Sequence, residues 1–151
     1  MRHSILALAL LTAVPTIAMA AKPNLGTVAE RSGYQQTGRY DEVIALCAAF
    51  QQVFPQSARC FDFGTSPQGR PMKALAVSTS GALTADDARA KGVPVVLAQG
   101  GIHAGEIDGK DAGFGLLRDL LQGKVGKGLL DKQVLLFVPV FNVDGHENFK
   151  A

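Results

Sequence analysis

The residues best placed for chemistry are His103 and Glu106, which stand in an H-x-x-E spacing within the glycine-rich segment 98–106. Imidazole nitrogen and carboxylate oxygen are both zinc ligands. Residues three apart share a face if a helix has begun, and a tight glycine turn can otherwise bring them together. The flanking glycines would let the backbone approach a bound ion or substrate. The spacing alone leaves a second interpretation open, in which Glu106 is a first-turn acid favoured by the helix dipole and His103 a loop residue bonded to backbone.

Two predicted elements position this segment. Residues 94–98 form a continuous apolar run, typical of a strand buried on both faces. Residues 107–121 carry apolar side chains at helical spacing, and glycines interrupt them at Gly109, Gly113 and Gly115. Each interior glycine costs about 1 kcal/mol relative to alanine, so we expect the helix to pack closely on a sheet. The end of a strand before a helix is where α/β sheets tend to hold ligands.

The remaining pattern also favours an α/β fold. Residues 21–38 are polar and are expected to run over the surface, and residues 141–149 are rich in turn formers. The other predicted elements are a helix at 39–54, a hairpin of strands 58–65 and 72–79, a short helical turn at 86–91 and a buried strand at 133–139. Hairpin, strand, helix and strand in this order indicate a sheet covered by helices.

The first twenty residues have the pattern of a secretory signal peptide. Arg2 and His3 precede a short apolar run, and an A-x-A site ends at Ala20. The apolar run is too short to cross a ~30 Å hydrocarbon core, which argues against a membrane anchor. We therefore expect export to the periplasm or the extracellular space, without stable membrane insertion, and a domain over 21–151.

Composition excludes some classes of protein. The chain has 151 residues, of which 47% are hydrophobic, which rules out a disordered chain. The net charge is +2 and no basic run exceeds a pair, which argues against nucleic-acid binding. No P-loop, no complete G-x-G-x-x-G motif and no G-x-S-x-G motif occurs, so nucleotide binding and serine hydrolysis have no support.

Cys47 and Cys60 are the two cysteines of the chain. In an oxidising compartment they can form a disulfide that ties the predicted helix 39–54 to the first hairpin strand. Two buried free thiols are the alternative, since sequence does not supply the Cα separation.

Four segments together resemble the zinc metallocarboxypeptidases of the carboxypeptidase A type. The resemblance begins near Tyr34 and covers most of the chain that follows. Its segments are 39–43, which resembles the family's opening helix, 63–71, which resembles its first hairpin, 100–106, which resembles its zinc-binding segment, and 138–145, where Val143 replaces the usual proline. The resemblance implies a mixed, mostly parallel sheet with helices on both faces, incomplete in this chain.

The resemblance also implies a function, a cofactor and a substrate class. It implies hydrolysis of C-terminal peptide bonds of peptides or proteins, with one Zn²⁺ held by His103, Glu106 and a second histidine. That histidine, the catalytic glutamate and the arginines that bind the terminal carboxylate belong downstream of Gly145. We therefore expect this chain to be the N-terminal part of a longer enzyme and to lack catalytic residues as given. Two alternatives stay open: a zinc amidase or cell-wall peptidase of the same fold, or a non-catalytic truncated binding protein.

Other polar residues are weaker candidates for binding a metal or a substrate. His146 could in principle supply a third ligand, but the family pattern does not place one there. Asp108 and Asp111 are expected to be solvated or to hydrogen bond to a ligand. Asn142 and Asp144 are expected to shape their loop through side-chain-to-backbone bonds, with a substrate-binding role also open for Asn142.

Overall fold

The computed structural model describes residues 22–148, so the signal peptide predicted for residues 1–20 lies outside the described residues. The elements are α1 (Val28–Arg31), α2 (Tyr40–Val53), β1 (Ala58–Thr65), β2 (Pro71–Val77), α3 (Ala85–Lys91), β3 (Val95–Gln99), α4 (Asp108–Leu121), a 3₁₀ turn (Leu129–Asp131), β4 (Val134–Val138) and α5 (Val143–Asn148). Within this described part, no helix has the length and apolar character needed to cross a membrane.

The four strands form one mixed sheet in the order β1-β2-β4-β3. β2 pairs antiparallel with both β1 and β4, whereas β3 pairs parallel with β4. The predicted α/β fold with a mixed sheet is confirmed. The implied majority of parallel pairs is not found within residues 22–148, because the hairpin strand β2 contributes two antiparallel pairings.

Helices cover both faces of the sheet, as predicted. On one face α2 and α4 share a core with β2 and β4, where the ring of Phe114 lies 5.8 Å from that of Phe50 and 5.4 Å from that of Phe137. On the other face α3 buries Ala88 in a smaller cluster with Ala76 of β2. The sheet thus supports the loops that follow the ends of its strands.

Helix α2 forms where the apolar positions recur at helical spacing. Its buried face includes Val43, Leu46 and Phe50, and it ends shortly before Pro55. A disulfide joins Cys47 on this helix to Cys60 on β1, with the two Cα atoms 5.3 Å apart. The cross-link fixes the helix to the hairpin.

Two of the sequence predictions are wrong about local structure. The segment 21–38 contains the short helix α1, whose capping box pairs Thr27 with Glu30, and the segment 141–149 contains α5. Both helices are too short to show apolar residues repeating at helical spacing. The turn-forming residues in these segments therefore led to the prediction of loops.

Strand β3 also differs from its prediction. It is not buried on both faces, since Val95 is 50% exposed and Leu97 is 58% exposed. The reason is topological: among the described strands β3 pairs only with β4 and therefore lies at the edge of the sheet. An apolar run indicates that a strand can be buried, but it does not indicate which strands and helices pack against it.

Candidate metal-binding site

The turn between β3 and α4 brings His103 and Glu106 into contact. His103 Nδ1 lies 2.7 Å from Glu106 Oε1, and the backbone N–H of His103 donates to Glu106 Oε2 at 3.0 Å. The backbone N–H of Glu106 donates back to the carbonyl oxygen of His103. Because α4 begins only at Asp108, the turn and not the helix aligns the two side chains. We call these two residues the His103–Glu106 pair.

The pair is open to solvent and its carboxylate is stabilised as an anion. The side chains of His103 and Glu106 are 80% and 51% exposed. The pKa of Glu106 is lowered, first by the hydrogen bond from the backbone N–H of His103 and next by the hydrogen bond with the His103 side chain. Glu106 is therefore ionised at neutral pH, as a metal ligand must be.

Gly100 and Gly101 are required by close packing of the backbone at the start of the turn. A Cβ on Gly100 would lie 2.8 Å from the carbonyl oxygen of Pro139. Gly101 has φ +57°, and a Cβ there would lie 2.9 Å from the Cα of Val140. These glycines let the chain leave β3 against the end of β4, whereas a Cβ on Gly105 would meet no atom within 4 Å.

A buried ionic cluster anchors the helix that follows the pair. Lys110 is fully buried, and its Nζ donates to Asp111 Oδ1 at 2.6 Å and to Glu42 Oε2 at 3.1 Å. Thr37 Oγ1 donates to the other oxygen of Asp111 at 2.6 Å. We call Glu42, Lys110 and Asp111 the Lys110 junction. The expectation that Asp111 is solvated or serves a ligand is wrong, because its carboxylate is occupied within this junction; Asp108 is exposed.

The sequence analysis missed the Lys110 junction, although a signal for it existed. Lys110 lies on the same helical stripe as Phe114 and Leu117, both of which are buried. A lysine on a buried stripe needs an anionic partner inside the protein. The partner Glu42 comes from α2, far away in sequence, and no local pattern identifies it.

The prediction that side-chain-to-backbone bonds shape the loop after β4 is confirmed for Asn142, whereas Asp144 bonds to the turn between β1 and β2. Asn142 Oδ1 accepts a bond from the backbone N–H of Gly145 at 2.9 Å. Asp144 accepts bonds from Ser66 Oγ and the backbone N–H of Gln68, and pairs with Arg70 at 2.6 Å. Desolvation alone would raise the pKa of Asp144, but the hydrogen bonds from Ser66 and Arg70 lower it overall.

His146 does not join the His103–Glu106 pair. It lies on α5 and is only 2% exposed, with its Nε2 3.9 Å from Glu147 Oε1. Within residues 22–148 no three histidine, cysteine, aspartate or glutamate side chains are grouped as they would be around a metal ion. His103 and Glu106 fit zinc by donor type and accessibility, but as two ligands they are only part of a tetrahedral set.

The sequence profile of the zinc carboxypeptidase family matches residues 43–151. The chain belongs to the zinc carboxypeptidase family. The profile spans the His103–Glu106 pair, the loop at Asn142 and the hairpin, which are three of the four segments that carried the resemblance in sequence. Among functionally curated proteins no significant match is found.

Solved structures show the same fold. Carboxypeptidase A from Helicoverpa armigera is 26% identical with a TM-score of 0.62, and the match covers 72% of this chain and 25% of that one. A metallo-carboxypeptidase from Burkholderia cenocepacia is 28% identical with a TM-score of 0.56, and the match covers 74% of this chain and 29% of that one. Bovine thrombin-activatable fibrinolysis inhibitor, in complex with a tick carboxypeptidase inhibitor, is 22% identical with a TM-score of 0.55, over 76% and 34% of the two chains. The chain thus spans about a quarter to a third of the length of these structures.

Proposed function

We propose that this chain is the part of a zinc metallocarboxypeptidase that supplies two zinc ligands, His103 and Glu106. The observation that carries the proposal is the 2.7 Å contact between His103 Nδ1 and Glu106 Oε1 on an exposed turn. The turn follows β3, and the ends of parallel strands are where α/β sheets hold ligands. Zinc bound there would polarise the scissile carbonyl and lower the pKa of a bound water.

The residues of this chain prepare the site. The backbone N–H of His103 holds one oxygen of Glu106 and keeps the carboxylate ionised, while the imidazole contacts the other oxygen. Gly100 and Gly101 fix the start of the turn against the end of β4. By the family resemblance, the second histidine ligand, the catalytic glutamate and the carboxylate-binding arginines belong downstream of Gly145. Catalysis on this proposal needs a protein that contains them.

We further propose peptides or proteins as substrates and an exported location, periplasmic or extracellular. Family membership supports the first, and a bovine protein of the same fold has been solved in complex with a tick carboxypeptidase inhibitor. The leader pattern supports the second. The bond between Cys47 and Cys60 is consistent with an oxidising compartment.

The test is release of C-terminal amino acids from synthetic peptides by the protein purified as its gene encodes it. We expect release that a chelator abolishes and zinc restores, and that His103→Ala eliminates. Asp108→Asn is the matched control, because Asp108 is an exposed acid next to the same turn that is not proposed as a ligand. Absence of both hydrolysis and bound zinc in the unaltered protein would contradict the proposal and favour a binding protein. Hydrolysis of amides with no release from free C-termini would favour the amidase alternative.

A further inference from the structure

A lysine-rich loop lies at the end of the sheet opposite the His103–Glu106 pair. It consists of residues 122–132, which connect the end of α4 to the start of β4, and we call it the Lys127 loop. The His103–Glu106 pair precedes α4, and the 14 residues of this helix span about 20 Å at 1.5 Å each. The loop is therefore well separated from the proposed zinc ligands.

The Lys127 loop is anchored near its ends and exposed between them. The backbone N–H of Lys124 donates to the carbonyl oxygen of Asp119 in α4 at 2.9 Å. Near the other end Leu130 is buried, and its carbonyl oxygen accepts from Ser78 Oγ at 3.0 Å. Every residue from 122 to 129 is exposed. The fold thus holds the loop in place and leaves its side chains open to solvent.

Positive charge exceeds negative charge on this loop. Lys127 and Lys132 are exposed and form no ion pair within residues 22–148. Lys124 is 58% exposed and pairs with Asp119 at 3.3 Å. The carboxylate of Asp131, which is the only one in the loop, accepts a hydrogen bond from a threonine hydroxyl. Two lysine ammonium groups therefore remain available to an anionic partner.

A fourth lysine lies at the same end of the sheet. Lys91 is the last residue of α3, and its Nζ donates to the carbonyl oxygen of Ser80 at 2.7 Å. The segment before Ser80 contacts the Lys127 loop, because the backbone N–H of Thr79 donates to the carbonyl oxygen of Leu130 at 3.0 Å. Lys91 therefore adds its charge to the same end of the molecule.

The composition of the Lys127 loop argues against a protein or a nucleic acid as its partner. The loop contains no arginine, no aromatic residue and no methionine. Protein–protein interfaces are enriched in these residues and depleted in lysine, so the loop is poorly suited to be covered by a partner protein or by another part of a longer chain. Single-stranded nucleic acid is bound by stacking of its bases on aromatic side chains, which the loop lacks.

Two exposed aliphatic residues lie among these lysines. Val125 is 44% exposed and Leu129 is 46% exposed. Lysine ammonium groups are attracted to anionic lipid headgroups, and apolar side chains next to them can enter the boundary between headgroups and acyl chains. Lysine and aliphatic residues on one exposed loop therefore match an anionic membrane surface.

We propose that the Lys127 loop binds reversibly to an anionic phospholipid surface through Lys124, Lys127 and Lys132, with Val125 and Leu129 entering the headgroup region. The inference is independent of the proposed function. It places the His103–Glu106 pair at the end of the molecule remote from the membrane, where the pair stays open to solvent.

Vesicle binding tests the proposal. The probes are vesicles of phosphatidylcholine alone and of phosphatidylcholine mixed with phosphatidylglycerol, and co-sedimentation of the protein purified as its gene encodes it is measured at low and high salt. We expect binding to the anionic vesicles only, reversed by salt because salt screens the attraction. Lys127→Gln and Lys132→Gln should each weaken binding about fivefold, the effect of one lysine near an anionic surface. Lys22→Gln is the matched control, because Lys22 is exposed but lies outside the loop, and it should bind as the unaltered protein does.

The aliphatic residues are tested by the double variant Val125→Ser/Leu129→Ser. It should bind anionic vesicles more weakly than the unaltered protein, with the same dependence on salt, because it loses apolar contact and keeps the lysines. Binding as tight as that of the unaltered protein would contradict the entry of these side chains into the headgroup region.

Lysine acetylation, measured at each residue by mass spectrometry, tests the orientation. We expect Lys124, Lys127 and Lys132 to react in solution and to be protected on anionic vesicles, whereas Lys22 reacts equally in both. His103 should stay accessible to diethyl pyrocarbonate on the vesicles. Loop lysines that are already protected in solution would show that another part of the protein covers them, which would overturn the proposal. Equal binding to both kinds of vesicle, unchanged affinity in the two lysine variants, or binding to a soluble polyanion such as heparin but not to vesicles would also overturn it.

Discussion

Two charged groupings lie close together in the sequence and have opposite surroundings. The His103–Glu106 pair precedes α4 and is largely exposed, at 80% and 51% of the two side chains. The Lys110 junction joins the first turn of α4 to Glu42 of α2; Lys110 is fully buried, and the side chains of Glu42 and Asp111 are 9% and 11% exposed.

The two groupings differ in whether their charged side chains are occupied by partners inside the protein or are available to bind a ligand. In the Lys110 junction both carboxylates contact the single ammonium group, and Glu42 also lies 3.8 Å from Arg31. Breaking such a buried set is costly. In the His103–Glu106 pair the two side chains contact each other and solvent, so a cation can replace the contact between them. Burial and partners, more than residue type, identify which acidic residues are ready to bind a metal.

The largest effect is expected for Lys110→Met. The variant keeps roughly the length of the side chain but removes the buried ammonium group that contacts Glu42 and Asp111, and leaves Glu42, among the described residues, only its 3.8 Å ion pair with Arg31. This should cost about 3–5 kcal/mol in the free energy of unfolding. Denaturant titration measures this. Lys124→Met is the control, because Lys124 is 58% exposed, and it should change stability by no more than about 0.5 kcal/mol. Equal effects in the two variants would remove the distinction between the groupings.

A second prediction concerns the packing that holds α4 in place. A Cβ on Gly113 would lie 2.2 Å from the ring of Phe137, whereas a Cβ on Gly115 would approach nothing closer than 3.9 Å. Gly113→Ala should destabilise the protein by about 1–3 kcal/mol through overpacking. Gly115→Ala should instead stabilise it by up to about 1 kcal/mol, the difference in helix propensity. Thermal unfolding of both variants checks this, and destabilisation by Gly115→Ala would show that α4 packs differently.

Particular residues show which features of the fold and of the candidate site can be predicted from the sequence. The helix at α2, the hairpin, β3, α4 and β4 follow from periodicity and from proline and glycine positions. The spacing of His103 and Glu106 allowed either a helix or a tight turn to join them, and the structure has the turn. Lys110 could be suspected from its stripe, but its partner Glu42 is brought in by tertiary packing. Similarly, the exposure of Val95 and Leu97 depends on strand order, which no local pattern contains.

The buried histidine His146 predicts that the stability of the protein depends on pH. Burial lowers the pKa of His146, and the positive charge of Lys110 lowers it further. The unfolded state, with a histidine pKa near 6.5, then binds a proton more readily than the folded state, so stability should fall as the pH drops below that value towards the lower folded pKa. Unfolding temperatures between pH 8 and pH 5 should fall less steeply for His146→Gln. An identical dependence of the unfolding temperature on pH in the two proteins would contradict the attribution of this effect to His146.

The smallest effect on stability is expected at the exposed pair. His103→Ala removes a side chain that is 80% exposed, so the free energy of unfolding of the zinc-free protein should change by no more than about 0.5 kcal/mol. Denaturant titration in the presence of a chelator measures this. A large loss would mean that the pair has a structural role like that of the Lys110 junction.

The most direct test of the zinc assignment is the zinc content and affinity of the protein purified as its gene encodes it, measured by metal analysis and chelator competition. We predict one zinc ion per chain in the unaltered protein and in Asp108→Asn. In His103→Ala we predict affinity weaker by more than about 100-fold, the upper loss seen on removing even an outer hydrogen-bonding partner of a ligand. Zinc retained by His103→Ala with unchanged affinity would contradict the account.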